Sequence, residues 1–146
     1  MKVGIANDHH SVDLKRAIIN HLEQQNIECI DYGSDGKEMT DYPLYAKLIG
    51  EAVTKKEIDY GILLCRTGIG MSIACNKIKG ARCAKVSTEE EAVLTRADND
   101  ANVITLSELT EPKTAFKIVD AFLNTKFDDI ERRIRRLKEI EDLEKL

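Results

Sequence analysis

Apolar runs of strand length alternate with stretches of helical periodicity five times along the chain, and the run Tyr60-Gly61-Ile62-Leu63-Leu64-Cys65 is apolar almost throughout. These two patterns predict an α/β protein: a Rossmann-like three-layer α/β/α sandwich with a five-stranded parallel sheet, right-handed crossovers and a C-terminal helix. Length agrees with that class. A chain of 146 residues is long enough to bury roughly two-thirds of its surface on folding. No repeat, linker or shift in composition divides residues 1–146 into more than one domain.

Val3-Gly4-Ile5-Ala6 is the first strand and ends at Asn7-Asp8. From Val12 to Gln25, Leu14, Ile18 and Leu22 recur at helical spacing. Ile27 to Asp31 reads as the second strand, Gly33 to Asp41 as a loop, and the segment around Tyr45, Leu48, Ile49 and Val53 as a helix. Tyr60 to Cys65 lacks polar alternation, which suits a central strand covered on both faces. Ala74 to Ile78 then belongs to a helix and Ala81 to Val86 to a strand; Thr88 is suited to cap a helix running to Ala97. Asn102 to Leu106 is the fifth strand, and Pro112 stands in the first turn of a helix reaching Leu123. Asp128 to Leu146, dense in charge, is the last helix.

Composition removes several classes of function. With 33% charged and 42% hydrophobic residues and only two Pro, the chain is neither disordered nor fibrous. The net charge of −4 lacks the broad positive field of a nucleic-acid binder. No apolar run approaches the roughly 20 residues needed to cross a bilayer. The opening MKVGIANDHH has no apolar signal core, so the expected location is cytoplasmic. Cys29, Cys65, Cys75 and Cys83 form no CxxC pair, which argues against zinc and against a disulfide framework. Reduced thiols, mostly buried, are the expectation for Cys29, Cys75 and Cys83.

Ligands of open parallel sheets bind beyond the carboxyl ends of the strands. Two polar turns fall there: Asn7-Asp8-His9-His10 after strand one and Cys65-Arg66-Thr67-Gly68-Ile69-Gly70-Met71-Ser72 after strand three. In the second, Gly68 and Gly70 permit torsions that let successive N–H groups converge on an oxyanion. Cys65 faces that turn as a candidate base, and Thr67 adds a hydroxyl. A base beside an oxyanion nest suits proton removal next to a carbonyl. A turn built only for tight helix–strand packing, with Cys65 merely buried, is the other reading. Asp8 and His9 are likewise either site residues or a helix cap followed by a surface histidine. Asp41-Tyr42-Pro43 is either a ligand contact or a helix start with a packed tyrosine. His10 and His21, the latter close to Glu23, carry no assigned role.

Five segments in order, NDHHSVDLK, DYPLYA, GILLCRTGIGMSIACNKIKGARCA, DNDANVITL and the arginine-rich tail, resemble the sugar-phosphate isomerase family of ribose-5-phosphate isomerase B and the galactose-6-phosphate isomerase subunits. The resemblance spans nearly all of the chain. It implies an aldose–ketose isomerase working through a cis-enediol(ate), with a small phosphorylated sugar as substrate and neither metal nor organic cofactor. The nominal reaction is ribose 5-phosphate to ribulose 5-phosphate. By resemblance, Cys65 is the base moving a proton between C1 and C2. Thr67 and the backbone of Thr67, Gly68, Ile69 and Gly70 form the enediolate cradle. Asp8, Tyr42 and Asn99 match substrate contacts and His9 a phosphate contact. Arg132 and Arg136, four apart on one helical face, match a phosphate clamp if one residue is inserted after Phe127; a solvated, charge-paired helix is the alternative for this tail.

Three positions depart from the family pattern. Arg66 replaces a glycine and stands as a further substrate-binding candidate. Asp98 replaces a histidine thought to assist ring opening, and is the candidate for that catalytic role. Ser107-Glu108-Leu109 replaces Gly-x-Arg. A tetrose 4-phosphate cannot close to a furanose because its O4 carries the phosphate, so such a substrate would tolerate Asp98. Galactose 6-phosphate isomerisation and a non-catalytic, sugar-phosphate-binding subunit are the remaining alternatives. The family site is completed between subunits, so a homodimer or tetramer is expected, with the region of Asp98 supplied by the neighbour. His9, Arg66, Arg132, Arg135 and Arg136 are expected near one anion.

Overall fold

Side chains alternate across each strand, and that alternation divides the core in two. The computed structural model describes residues 1–146. Its strands are β1 (Lys2–Asn7), β2 (Glu28–Asp31), β3 (Tyr60–Cys65), β4 (Cys83–Lys85) and β5 (Val103–Ser107). Ile62 and Leu64 of β3, with Val3 and Ile5 of β1 and Ile104 and Leu106 of β5, face one apolar cluster. Leu63 and Cys65 of β3, with Ala6 and Val103, face the other. Helices α1 (Val12–Glu23), α4 (Glu89–Asn99) and α5 (Pro112–Asn124) cover the first cluster through Leu14, Ile18, Leu22, Ala92, Ile118 and Phe122. Helices α2 (Tyr42–Thr54) and α3 (Ile69–Cys75) cover the second through Ala46, Ile49, Val53, Met71 and Cys75. The result is the three-layer α/β/α arrangement.

All strand pairs are parallel, in the order β2-β1-β3-β5-β4. The chain leaves β1 in one direction to make β2 and returns on the opposite side to make β3. The carboxyl ends of β1 and β3 therefore flank the switch point at which such sheets bind ligands. Register places Cys65 beside Ser107 and Asn7 beside Leu64.

Local signals hold at several ends. Thr88 caps α4, its Oγ1 accepting from Glu91 N at 3.1 Å, while Glu91 Oε1 accepts from Ser87 N at 3.1 Å. Pro43 and Pro112 occupy first turns. One helix was misplaced by sequence reasoning: of the expected helical segment Ala74–Ile78 only Ala74 and Cys75 are helical, as the end of α3, which runs Ile69–Cys75. Helix formation stops there because Asn76 turns its side chain onto strand β4, donating to Cys83 O (2.8 Å) and accepting from Cys83 N (2.9 Å). The last helix, α6 (Glu131–Leu143), starts later than expected, because Asp128 N–H is tied to Ala97 O at 3.0 Å. It buries no residue and is held by polar contacts, among them Gly80 N–H to Glu144 Oε1 at 2.8 Å. No helix is long and apolar enough to cross a membrane.

Candidate active site

Cys65, at the end of β3, is 5% exposed. The turn after it is tethered to β5. Thr105 Oγ1 donates to Gly68 O at 2.7 Å, Ser107 Oγ donates to Arg66 O at 2.7 Å, and Glu108 N–H donates to Cys65 O at 2.9 Å. These ties hold Gly68 at φ +80°, a torsion favourable only for glycine. In that conformation Gly68 N–H points at Cys65 Sγ, 3.1 Å away, aiming a partial positive charge at the sulfur. Thr67 Oγ1 accepts from Ile69 N at 3.1 Å. The N–H groups of Gly70 and Met71 find no acceptor in the chain, as expected for the first turn of a helix. Of the expected cradle Thr67–Gly70, the N–H groups of Gly68 and Ile69 are thus spent within the turn, and those left over for a ligand are Gly70 and, one residue beyond the expected set, Met71. Gly70 has a second reason to lack a side chain: a Cβ there would lie 2.7 Å from Cζ of Tyr42. Tyr42, the first residue of α2, lays its ring over that backbone and remains 40% exposed. Tyr42 therefore starts a helix and also borders the turn.

The β1 turn lies alongside. Asp8 N–H donates to Leu64 O at 3.2 Å, next to Cys65. Asp8 is buried, and its Oδ1 accepts from His10 N at 2.9 Å. It does not cap α1, whose N-cap is Ser11. His9 Nδ1 accepts from Thr40 N–H at 3.2 Å. The hydrogen-bond geometry therefore assigns the proton of the neutral ring to Nε2, making His9 a donor suited to an anionic oxygen. Asp8, His9 and His10 bring ligand-type atoms within 4.8 Å of one another, the one such cluster in the chain. Thr40 takes the lone pair that His9 would need at Nδ1 to ligate a metal.

Asp98, Asn99, Arg132 and Arg136 lie at the other edge of the sheet. Asp98 and Asn99 end α4, which returns the chain to the amino end of β5. The register Gly61 with Val103 and Cys65 with Ser107 separates that level from Cys65 by four residues of strand, roughly 13 Å. Helix α6 lies along the same far edge, between the contact of Asp128 with Ala97 and that of Glu144 with Gly80. The candidate residues therefore fall into two groups that one chain does not bring together.

Arg66, Arg132 and Arg136 are exposed and make no ion pair within the chain. Arg135, expected near the anion, is instead engaged by Glu131 (2.8 Å) and Glu139 (3.8 Å). Arg133, passed over in the sequence, holds Asp98 Oδ1 at 2.9 Å and also pairs with Asp128. Thr105, the anchor of the Gly68 turn, was also missed; a single hydroxyl in the apolar run Val103-Ile104-Thr105-Leu106 was the available signal. His21, which carried no assigned role, pairs with Asp120 of α5 at 2.9 Å.

All four cysteines are free thiols; Cys75 is buried and Cys29 and Cys83 are half-buried. Burial, with Glu23 nearby, pushes Cys29 up to about 11. Contact with Cys75 and burial raise Cys83 well above the usual thiol range.

The sequence profile of the Ribose/Galactose Isomerase family matches residues 3–140. The chain belongs to this family. Ribose-5-phosphate isomerase B of Escherichia coli is 41% identical over 128 residues, which cover 87% of this chain and 86% of that protein. A solved ribose 5-phosphate isomerase from Thermotoga maritima superposes with a TM-score of 0.93 at 42% identity, covering 97% of each chain. Ribose-5-phosphate isomerase B of Mycoplasma genitalium, solved with bound ribulose-5-phosphate, superposes with a TM-score of 0.91 at 37% identity, covering 99% of this chain and 96% of that one. The fold and family expected from the five segments are thereby established.

Proposed function

We propose that this chain is a sugar-phosphate aldose–ketose isomerase whose nominal reaction is ribose 5-phosphate to ribulose 5-phosphate, carried out at a site shared between two copies. The observation that carries the assignment is the single turn that aims Gly68 N–H at Cys65 Sγ (3.1 Å) and leaves the N–H groups of Gly70 and Met71 free. Base and oxyanion donors then stand on the same few residues. Cys65, as thiolate, takes the proton from C2 of the open-chain aldose, and the electron pair moves to make the enediolate. Its oxyanion is held by the free N–H groups of Gly70 and Met71, at the end of the turn that begins at Thr67. The proton on O2 then passes to O1, the thiol returns its own proton to C1, and C2 becomes the ketose carbonyl.

Asp8 and Tyr42 hold sugar hydroxyls, Arg66 flanks the substrate on the open rim, and His9 Nε2–H reaches the phosphate. Asn99 and the clamp of Arg132 and Arg136 come from the second copy, which supports a homodimer or a tetramer as the working unit. A thiol base needs a reducing compartment, which supports a cytoplasmic location. The test is Cys65→Ala: isomerisation falls at least about 10³-fold while the phosphate of the substrate still binds. Unchanged turnover refutes the assignment of the base.

A second reading concerns the substrate. Arg133 occupies Asp98 Oδ1 at 2.9 Å, so this carboxylate is engaged rather than free for ring opening. That favours a tetrose 4-phosphate, which has no furanose to open. Purified protein is assayed with ribose 5-phosphate, galactose 6-phosphate and erythrose 4-phosphate. A preference for ribose 5-phosphate above about tenfold, or roughly 1.4 kcal/mol in the barrier, refutes the tetrose reading.

A further inference from the structure

Lys15 of α1 is 2% exposed, whereas every other lysine of the chain is exposed. Burying an ammonium is costly unless its hydrogens find acceptors. Its partners are Ser34 O at 2.6 Å and Asp31 Oδ1 at 2.9 Å, and the Asp31 side chain is itself 48% exposed. A methionine would fill the same space without that cost. What the charge accomplishes is visible at Ser34. This buried residue turns its other polar groups toward the β1 turn: its N–H donates to Asn7 O at 2.9 Å and its Oγ donates to Asp8 O at 3.0 Å. Asn7 N–H returns a bond to Gly33 O at 2.7 Å, and Gly33 N–H is held by the same Asp31 Oδ1 at 2.8 Å. Strand β2 has already ended at Asp31. The segment Gly33-Ser34 thus continues the pairing past the end of the strand, and the Lys15 ammonium locks the carbonyl that nothing else in the chain holds.

We infer that Lys15 is a positioning residue: its buried ammonium, acting through Ser34, fixes the backbone at Asp8 and so aims the Asp8 carboxylate at the substrate. The inference rests on the reading of Asp8 as a sugar-hydroxyl contact. Lys15 touches no reacting atom in this scheme. Its influence passes through one carbonyl, one hydroxyl and the Asp8 peptide. A cavity of about 310 Å³, bordered by Lys15, Arg16, Asp31 and Ser34, leaves room for a larger cation at the same place.

The experiment is a double-mutant cycle on the full chain, with kcat and KM for ribose 5-phosphate and the melting temperature measured for each variant. Lys15→Met lowers kcat/KM at least about tenfold in the wild-type background, but less than about twofold when Asp8→Asn is already present. Lys15→Arg, which keeps charge and donors, restores kcat/KM to within about threefold of wild type. A purely structural lysine would give the same activity loss in both backgrounds, and that additive result overturns the inference while leaving the Asp8 reading intact. If Asp8→Asn alone leaves kcat/KM unchanged, the Asp8 reading fails and the role of Lys15 falls with it. Should Lys15→Met not fold, Ser34→Ala takes its place in the cycle, since it removes the bond to Asp8 O and keeps the contacts of the ammonium. Coupling to Asp8 then supports the relay and additivity overturns it.

Discussion

Replacing Gly68 with alanine separates the strain in the candidate turn from its chemistry. Gly68 has φ +80°, a region that costs a residue with a Cβ about 1–2 kcal/mol. The new Cβ would also lie 3.1 Å from the carbonyl carbon of Leu106 and 3.3 Å from both its oxygen and Thr105 Oγ1. Two of these three atoms are backbone of a central strand, so the turn rather than the strand must give, which adds about 1 kcal/mol. The sum, about 2–3 kcal/mol, corresponds to a fall in melting temperature of roughly 5–10 °C for a domain of this size. Activity should fall further than stability. Displacing the turn moves the Gly68 N–H away from Cys65 Sγ and tilts the free N–H groups that follow. Losing one such donor costs about 10²–10³-fold in kcat. Calorimetry and steady-state kinetics on the same preparation give the two readouts. An unchanged melting temperature refutes the strain argument, and a reduced one with wild-type kcat/KM refutes the chemical role of the turn.

Arg133→Met releases both Asp98 and Asp128 from a partly exposed guanidinium, which should cost about 1 kcal/mol in a urea titration. If α6 carries the phosphate clamp, the same variant raises KM more than it lowers kcat; the reverse split would detach Arg132 and Arg136 from substrate binding. The cysteines set an alkaline limit. Cys29 is raised from 9.0 to about 11 in the folded state, so the unfolded chain loses that proton first and stability declines as pH rises from 9 toward 11. Cys83, also raised, adds to the same decline. Melting curves between pH 8 and 10.5 should show a falling midpoint that is flatter in Cys29→Val; equal slopes would remove Cys29 as the cause.

Sheet and helices were legible because each rests on a short-range pattern. The apolar run of β3, the helical recurrence of Leu14, Ile18 and Leu22, and the Thr88 cap all express contacts with neighbours a few residues away or with one broad apolar face. The end of α3 was not legible. It depends on Asn76 meeting the backbone of Cys83, a contact between two elements that no local pattern announces. Within the candidate site, the glycine turn and Cys65 were readable because glycine spacing reports backbone torsion directly. Tethering of that turn by Thr105 was hidden, since a hydroxyl inside a strand shows its partner only after β5 is placed beside β3. Resemblance could mark Arg132 and Arg136 but not Arg133, whose importance comes from facing the end of α4.

By itself, then, the amino-acid sequence determined the α/β class, the order of the elements, the family, and the turn that joins a thiol to free N–H donors. All of these follow from periodicity, glycine placement and contiguous motifs, which are properties of neighbouring residues. Tertiary structure alone decided which candidates share an edge of the sheet. A parallel sheet sends α4 back to the opposite edge, and α6 is tied along that edge through Asp128 and Glu144, so Asp98, Asn99, Arg132 and Arg136 end up away from Cys65. The same crossover geometry brings Lys15, Ser34 and Asp8, separated along the chain, into one hydrogen-bonded relay beneath the turn.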